Sequence, residues 1–289
     1  MVNIVSDSST LYTIEQARNC GFYSLPLHIT TNLGCYKDYE SISSRQLMDQ
    51  IELKEAPVTS QPSLGHKVSL YEHLLRKGDV LDITLADGLS GTYSTACLAA
   101  AQTGSSNITV FNSQTLCGPQ RYMTEQAVRL AGEGKSREEI IKALMQLQNQ
   151  TDSYLLCPDF SYLKRGGRLK GYEAGAGKLL RLILSVRLRE DGQSLEKFSV
   201  NRTWCANITA ICTEIAQKLG KEDLIIYICD AQNKEKADKA EQKVREFFPS
   251  AQIVRLPLSP AFLAQGGPGC VSIQAIRKLD QMPALEQAK

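Results

Sequence analysis

The segment from Asp79 to Ala101, DVLDITLADGLSGTYSTACLAAA, constrains the fold more than any other part of the chain. An apolar run passes through residues 87–91 (DGLSG) into an alanine-rich stretch, which predicts a strand, a tight turn and a helix start. A helix start has unpaired N–H groups and the positive end of the peptide dipole, so small residues there let an anion approach. Ser90 and Thr92 add hydroxyl groups, although Ser90 also suits a helix cap. Because neither GK[ST] nor GxGxxG is present, one carboxylate or phosphate is favoured over a nucleotide.

The first half of the chain alternates short apolar runs with helical patterns, which is typical of a mostly parallel sheet covered by helices. Ligands of such sheets bind beyond the carboxyl ends of the strands, where we expect the polar turns Asp7–Ser9, Ala86–Ser90 and Asn112–Gly118 to converge. The predicted strands are Val2–Ser6, Phe22–Ile29, Asp79–Leu85 and Ile108–Asn112. The predicted helices are Ile14–Cys20, Ser43–Leu53, Leu64–Lys77, the stretch after Ser90, Gln120–Ala131 and Arg137–Gln148.

The second half follows a glycine-rich interruption at residues 164–168 (KRGGR) and predicts another α/β unit. At 289 residues, two domains are expected: 1–154 with the TSQPS and LSGTY loops, and 155–289 with the KRGGR and GGPG elements. The predicted strands are Leu180–Arg189, Leu195–Val200, Leu224–Cys229, Gln252–Leu256 and Val271–Arg277. The predicted helices are Thr203–Leu219 and Lys234–Phe247.

Charge and cysteine usage narrow the class of protein. Thirty-three basic and thirty-one acidic residues give a formal charge of +2 without a polybasic stripe, so nucleic acid is not expected as a partner. Nine scattered cysteines without a CxxC pair indicate reduced thiols and no metal site. We expect a cytoplasmic protein, because the start at Val2 lacks an export signal and no apolar run reaches membrane-spanning length.

Five motifs in order, spanning nearly the whole chain, resemble those of the DegV family. They are VSDSS at residues 5–9, TSQPS at 59–63, LSGTY at 89–93, YLKRGGR at 162–168 and GPG at 267–269. Characterised members are bacterial proteins that bind a long-chain fatty acid between two domains. They present its carboxyl group to a separate fatty acid kinase, which makes acyl phosphate.

The resemblance implies particular contacts for the carboxylate of a fatty acid. The hydroxyls of Thr59 and Ser90 would hold it, helped by backbone N–H groups around Ser60 and Gly91. Gln265 stands where many members have a histidine, and its neutral amide can donate a hydrogen bond without carrying charge. The expected ligand is the fatty acid itself, with no further cofactor.

The same resemblance predicts contacts with a partner. Arg168, in the KRGGR element, and Arg202 are expected to meet the kinase, on a surface away from the Thr59 and Ser90 cluster. A solvated loop is the other interpretation of such a basic cluster. Transient contact with a membrane surface is compatible with this role.

Two other functions stay open at the level of sequence. A serine-dependent acyl hydrolase would use Ser90 as its nucleophile, but residues 88–92 (GLSGT) do not match GxSxG and no histidine is placed as a base. A regulatory or scaffold protein without a ligand would leave the converging polar turns unexplained. We therefore predict a binding protein without a catalytic centre of its own.

Overall fold

The computed structural model describes residues 1–169 and 182–279. The strands, in chain order, are β1 (Val2–Asp7), β2 (Tyr23–Leu25), β3 (His28–Thr31), β4 (Gly34–Lys37), β5 (Val58–Ser60), β6 (Asp79–Thr84), β7 (Ile108–Asn112), β8 (Thr151–Cys157), β9 (Ile183–Leu188), β10 (Leu195–Asn201), β11 (Leu224–Asp230), β12 (Gln252–Pro257) and β13 (Val271–Arg277). The α-helices are α1 (Ile14–Asn19), α2 (Ser44–Glu52), α3 (Leu64–Leu75), α4 (Thr92–Thr103), α5 (Cys117–Gly132), α6 (Arg137–Gln148), α7 (Ser161–Arg165), α8 (Trp204–Leu219), α9 (Lys234–Phe247) and α10 (Pro260–Gly266).

The first sheet is parallel, in the order β2-β1-β6-β7, and is covered by helices on both faces. Val5 and Val80 pack with Tyr71 of α3 on one face, whereas Leu81 packs with Met123 of α5 on the other. Side chains alternate across a strand, so a sheet covered twice needs apolar residues at successive positions. The near-continuous apolar runs of β1 and β6 meet this requirement.

The second sheet is mixed, in the order β10-β9-β8-β13-β11-β12, and only β11 and β12 pair in parallel. Its outer face packs on α8 and α9, and its inner face packs on α5, which also contacts the first sheet. A Cβ at Gly118 of α5 would lie 2.1 Å from Cγ of Tyr227 in β11. Glycine is therefore required for α5 to approach the second sheet.

A third, antiparallel sheet, β4-β3-β5, lies between β2 and α3 in the chain. The following helix, α3, is anchored beneath the first sheet by a buried ion pair between Lys67 Nζ and Asp82 Oδ2, 2.5 Å apart. The Tyr71 hydroxyl donates to the same carboxylate oxygen. The loop between β5 and α3, residues 61–63, is thus held at both ends. No helix in the described part of the chain has the length and apolarity needed to span a membrane.

The structure confirms most predicted elements and corrects several. The single strand predicted at Phe22–Ile29 is two strands, β2 and β3, in different sheets, because Pro26 between them cannot donate to a ladder. Strands β4, β5 and β8 and helices α7 and α10 were not predicted. Residues 180 and 181 of the strand predicted at Leu180–Arg189 lie outside the described residues. The domain boundary at 154/155 stays a prediction; the chain enters the second sheet at β8, which spans that position.

A buried carboxylate, Asp38, joins distant parts of the chain. Its Oδ2 accepts from the Ser8 hydroxyl at 2.7 Å, and its Oδ1 accepts from the Ala261 N–H in the first turn of α10 at 3.1 Å. Burial raises the pKa of Asp38 to about 6, against the hydrogen bonds that favour the ionised form. Ionised Asp38 therefore positions α10 at the expense of stability.

We predict that Asp38→Asn removes a pH dependence of stability. Asp38 binds a proton more tightly in the native state than in the unfolded state. Its contribution to the free energy of unfolding is therefore greatest below pH 4 and falls as the pH rises through 6. The difference in free energy of unfolding between wild type and Asp38→Asn should change by about 3 kcal/mol between pH 4 and pH 6. Denaturant unfolding at several pH values measures it, with exposed Asp49→Asn as the control. Parallel profiles for wild type and Asp38→Asn would contradict the prediction.

Candidate functional site

The polar turns at the carboxyl ends of the first sheet meet, as predicted. Asp7 Oδ2 accepts from the Leu85 N–H at 3.2 Å, which joins the turns after β1 and β6. The Ala86 N–H donates to the Thr115 carbonyl at 2.8 Å, which adds the turn after β7. Parallel strands end at one edge of a sheet, so their following turns are brought together by topology.

The second sheet packs directly against one of these turns. A Cβ at Gly88 would lie 2.2 Å from the Cα of Gln193 in the β9–β10 hairpin. Asp87 Oδ1 accepts from Gln193 Nε2 at 2.7 Å, and Leu89 packs with Leu188 of β9. Gly88 thus permits an approach that any other residue would block, and the two sheets enclose a space between them.

That space is a cavity containing about 950 Å³ not filled by protein atoms, including the part open to solvent. Leucines from both halves of the chain form most of its apolar wall, with Phe262 of α10. Polar residues that line it include Thr59, Ser60, Gln61, Ser90, Arg168 and Gln265. The cavity therefore combines an apolar interior with a cluster of hydrogen-bond donors, which is the usual composition of a small-molecule site.

Thr59 and Gln265 form the contact that joins β5 to α10. Gln265 Nε2 donates to Thr59 Oγ1 at 2.6 Å. Since a hydroxyl has one proton, Thr59 keeps its own O–H to donate elsewhere. Gln265 Oε1 is buried without a partner in the described residues and lies against Gly166, where a Cβ would be 2.1 Å away.

Ser90 lies in the turn before α4, one residue ahead of Gly91, which occupies the N-cap position. Its Oγ accepts from the Thr92 N–H at 3.3 Å and shares a 2.8 Å hydrogen bond with Thr92 Oγ1. Ser90 thus pairs with the first N–H of α4 from outside the N-cap position, and it also lines the cavity. When the Thr92 hydroxyl donates to Ser90, the Ser90 proton is left for a ligand.

Gln61 is a cavity residue that the sequence prediction missed. A Cβ at Gly91 would lie 3.1 Å from Gln61 Cδ, so the missing side chain at Gly91 leaves room for the Gln61 amide. Ser60, which precedes it, is exposed and borders the cavity. Gln61 could have been identified from the sequence, because it lies inside the TSQPS segment next to residues already singled out.

Arg168 corrects the sequence prediction, which was wrong to place it away from Thr59 and Ser90. The chain turns after α7, the Arg168 N–H donates to the Leu163 carbonyl at 3.2 Å, and the side chain reaches the cavity. Its Nε donates to the Leu89 carbonyl at 3.1 Å, and an Nη donates to the Gly166 carbonyl. Burial lowers the pKa of this half-buried guanidinium, which forms no ion pair with the described residues.

Arg202 lies apart from this cluster. It is exposed at the bend between β10 and α8 and does not line the cavity. In the parts of the chain that the structure describes, no His, Asp or Glu lines the cavity, and no group of such residues could hold a metal ion. Of the residues predicted to contact a ligand or a partner, five line the cavity: Thr59, Ser60, Ser90, Gln265 and Arg168. Gly91 lies beside Gln61 of the cavity wall.

The chain is similar to known proteins along nearly its whole length. The family model described as "Uncharacterised protein, DegV family" matches residues 1–278. A DegV domain-containing protein of Staphylococcus aureus (strain N315) is 30% identical over 277 residues, which are 95% of this chain and 98% of that protein. Protein DegV of Bacillus subtilis (strain 168) is 30% identical over 184 residues, 63% of this chain and 66% of its own length.

Solved structures share the fold. A DegV family protein from Thermus thermophilus, described as binding fatty acid, superposes with a TM-score of 0.87 at 24% identity, over 96% of this chain and 99% of that one. DegV of Bacillus subtilis, described as a fatty acid binding protein, gives 0.84 at 25% identity and the same coverage. A stearic acid-binding protein from Eubacterium ventriosum gives 0.85 at 20% identity, over 98% and 100%. These matches confirm the predicted two-domain α/β fold.

Proposed function

Because this chain belongs to the DegV family, we propose that it binds a long-chain fatty acid in the cavity between its two sheets. The carboxylate would lie at Thr59, Ser90 and Arg168, and the acyl chain among the leucines. The observation that carries the proposal is a cation without an anionic partner in the described residues, set in the wall of a mainly apolar cavity. The relatives from Thermus thermophilus and Bacillus subtilis, described as fatty acid binding, support it.

The donors at the polar end suit one carboxylate. A guanidinium has five N–H donors, of which Arg168 gives two to the carbonyls of Leu89 and Gly166. Three remain, together with the protons of Thr59 and Ser90. A buried carboxylate without such partners would be very unfavourable, whereas charge-assisted hydrogen bonds are short and strong. Gln265 acts through Thr59, whose hydroxyl it holds as an acceptor on one side.

The apolar wall supplies the affinity. Burial of about 15 methylene groups at about 0.8 kcal/mol each yields roughly 12 kcal/mol before the costs of ordering and association. The hydrophobic effect is not directional, so the tail alone does not orient the ligand. The polar cluster of Thr59, Ser90 and Arg168 fixes which end of the acid faces which wall.

We further propose that the bound acid is presented to a fatty acid kinase, in the cytoplasm, and that this chain is not itself the enzyme. Lys164 and Arg165 of α7, which precede Arg168 in the chain, are exposed, as is Arg202, so basic side chains are available to a partner. Contact with a membrane surface during loading fits the same role. For the hydrolase alternative, no observation favours Ser90 as a nucleophile, since its hydrogen bonds in the described residues go to Thr92.

Arg168→Ala tests the proposed function directly. Delipidated wild-type protein should bind palmitate tightly, and the variant should bind it at least about tenfold more weakly because the carboxylate loses its counter-charge. Palmityl alcohol, which has the same chain without charge, should bind both proteins equally. Fluorescence displacement measures both ligands, with exposed Lys164→Ala as the control. Failure of wild type to bind either ligand would refute the function, and equal palmitate affinity would refute the role of Arg168.

Thr59→Val and Ser90→Ala should each weaken palmitate binding without unfolding the protein. The loss of a hydroxyl donor to a charged group typically costs about 1.5 to 3 kcal/mol. If both hydroxyls hold one carboxylate, the double variant should lose less than the sum. Calorimetric titration measures the palmitate affinity of wild type, both single variants and the double variant. Ser94→Ala, on the exposed side of α4, is the control. Strict additivity would assign the two hydroxyls to separate tasks.

Arg202→Ala should leave palmitate affinity unchanged while slowing phosphorylation of the bound acid by a bacterial fatty acid kinase. Exposed charges act mainly on association, so the defect should shrink as salt is raised. A coupled kinase assay over a salt series, with exposed Arg18→Ala as the control, measures this. A normal rate at low salt would remove Arg202 from the partner surface.

A further inference from the structure

The hairpin between β9 and β10, residues 189–194, holds the turn that contains Ser90. Its Gln193 Nε2 donates to Asp87 Oδ1 at 2.7 Å, and the Gln193 backbone occupies the space that a side chain at Gly88 would need. Asp87 belongs to the turn itself, because its carbonyl accepts from the Ser90 N–H at 3.3 Å. Gln193 is therefore joined to the Ser90 backbone through one residue, Asp87.

The same hairpin holds the segment that contains Arg168. The Leu195 N–H, directly after the hairpin, donates to the Arg168 carbonyl at 3.3 Å. The Arg168 side chain in turn donates to the Leu89 carbonyl at 3.1 Å, in the turn that Gln193 holds. The hairpin therefore links the two groups, Arg168 and Ser90, that we place on one carboxylate.

The hairpin has open space on both of its sides. Leu188, the last residue of β9, lines the ligand cavity and also lines a second, polar cleft of about 740 Å³, counting the part open to solvent. The charged residues Arg189, Glu190 and Lys218 border this cleft. Strand β10 is the edge of its sheet, and its pairing with β9 contains a bulge, a feature that lets a strand bend. The position of the hairpin therefore depends on the contacts at its tip.

The contacts at the tip differ in how strictly they fix it. Leu188 packs in a small apolar cluster, and apolar packing is not directional. A Cβ at Gly192 would be 2.9 Å from the Cα of Gln114, so this contact limits how closely the hairpin approaches. The hydrogen bond from Gln193 to Asp87 requires both a distance and an angle. It therefore defines the position of the hairpin relative to the turn.

We propose that Gln193 is a positioning residue for the carboxylate site, because its hydrogen bond to Asp87 sets the spacing between Arg168 and Ser90. The inference rests on the proposed fatty acid binding and adds a residue that does not line the cavity. One carboxylate pairs with two donors only when both lie at hydrogen-bond distance, so a small shift of the hairpin weakens recognition of the charged head. The acyl chain makes no such demand, since the hydrophobic effect is not directional.

Three proteins of equal net charge test the proposal: wild type, Gln193→Met, and the double variant Asp87→Asn with Gln193→Glu. Gln193→Met removes the donor and adds no charge. In the double variant the amide and the carboxylate change places, so the hydrogen bond is kept with its direction reversed. Fluorescence displacement measures palmitate and palmityl alcohol on the delipidated proteins. Exposed Lys197→Ala in β10 is the control, and thermal unfolding checks the fold.

Gln193→Met should bind palmitate about threefold more weakly than wild type, or weaker still, and palmityl alcohol within about twofold of wild type. The double variant should bind both ligands as wild type does. In an Arg168→Ala background, Gln193→Met should cause little further loss of palmitate affinity, because its effect passes through the same site. A merely structural role would weaken both ligands together.

The outcomes separate the two proposals. If wild type binds neither ligand, the proposed function itself fails. The positioning inference is wrong, and fatty acid binding stands, if Gln193→Met matches wild type or weakens both ligands alike. The same holds if the double variant binds palmitate no better than Gln193→Met, or if Gln193→Met has its full effect in the Arg168→Ala background.

Discussion

The site depends on one hydrogen bond between residues 206 positions apart, from the Gln265 amide to the Thr59 hydroxyl. It joins α10 to the small antiparallel sheet and so closes the polar end of the cavity. Asp38 supports it by accepting from the first turn of α10, and Gly166 leaves space for the Gln265 oxygen. Together these contacts hold the Gln265 amide against Thr59, whose hydroxyl accepts on that side and has its own proton left to donate elsewhere. The donor is thus oriented before any ligand arrives, which lowers the entropy lost on binding.

The cavity balances an apolar interior against an isolated charge. Arg168 is half-buried and has carbonyls, not carboxylates, as its partners in the described residues. Such a cation is less stable than a solvated one, and an anionic ligand removes the imbalance. Under the proposed function, the unpaired cation and the apolar wall describe the ligand that the cavity takes: charged at one end and apolar along the rest.

Sequence patterns predicted the parallel sheet, the meeting of its turns and the place of Ser90 in one of them, whereas Thr59 and Gln265 were expected only from the resemblance to the DegV family. They failed for β4 and β5, which are too short to show a period. They also failed for α10, although Ser259 before Pro260 is a helix-start signal. Arg168 was misplaced because its position follows from the packing of α7 on the Leu89 turn, a contact that no local pattern encodes.

The central claim is that Arg168 and two hydroxyls hold an ionised carboxylate. The most direct measurement is the pH titration of palmitate labelled with ¹³C at the carboxyl carbon and bound to the protein, followed by NMR. The account predicts a single bound carboxyl that is ionised at neutral pH, with a pKa below that of the free acid, and a rise of that pKa in Arg168→Ala. A bound carboxyl that is protonated at neutral pH, or a titration identical in wild type and variant, would contradict it.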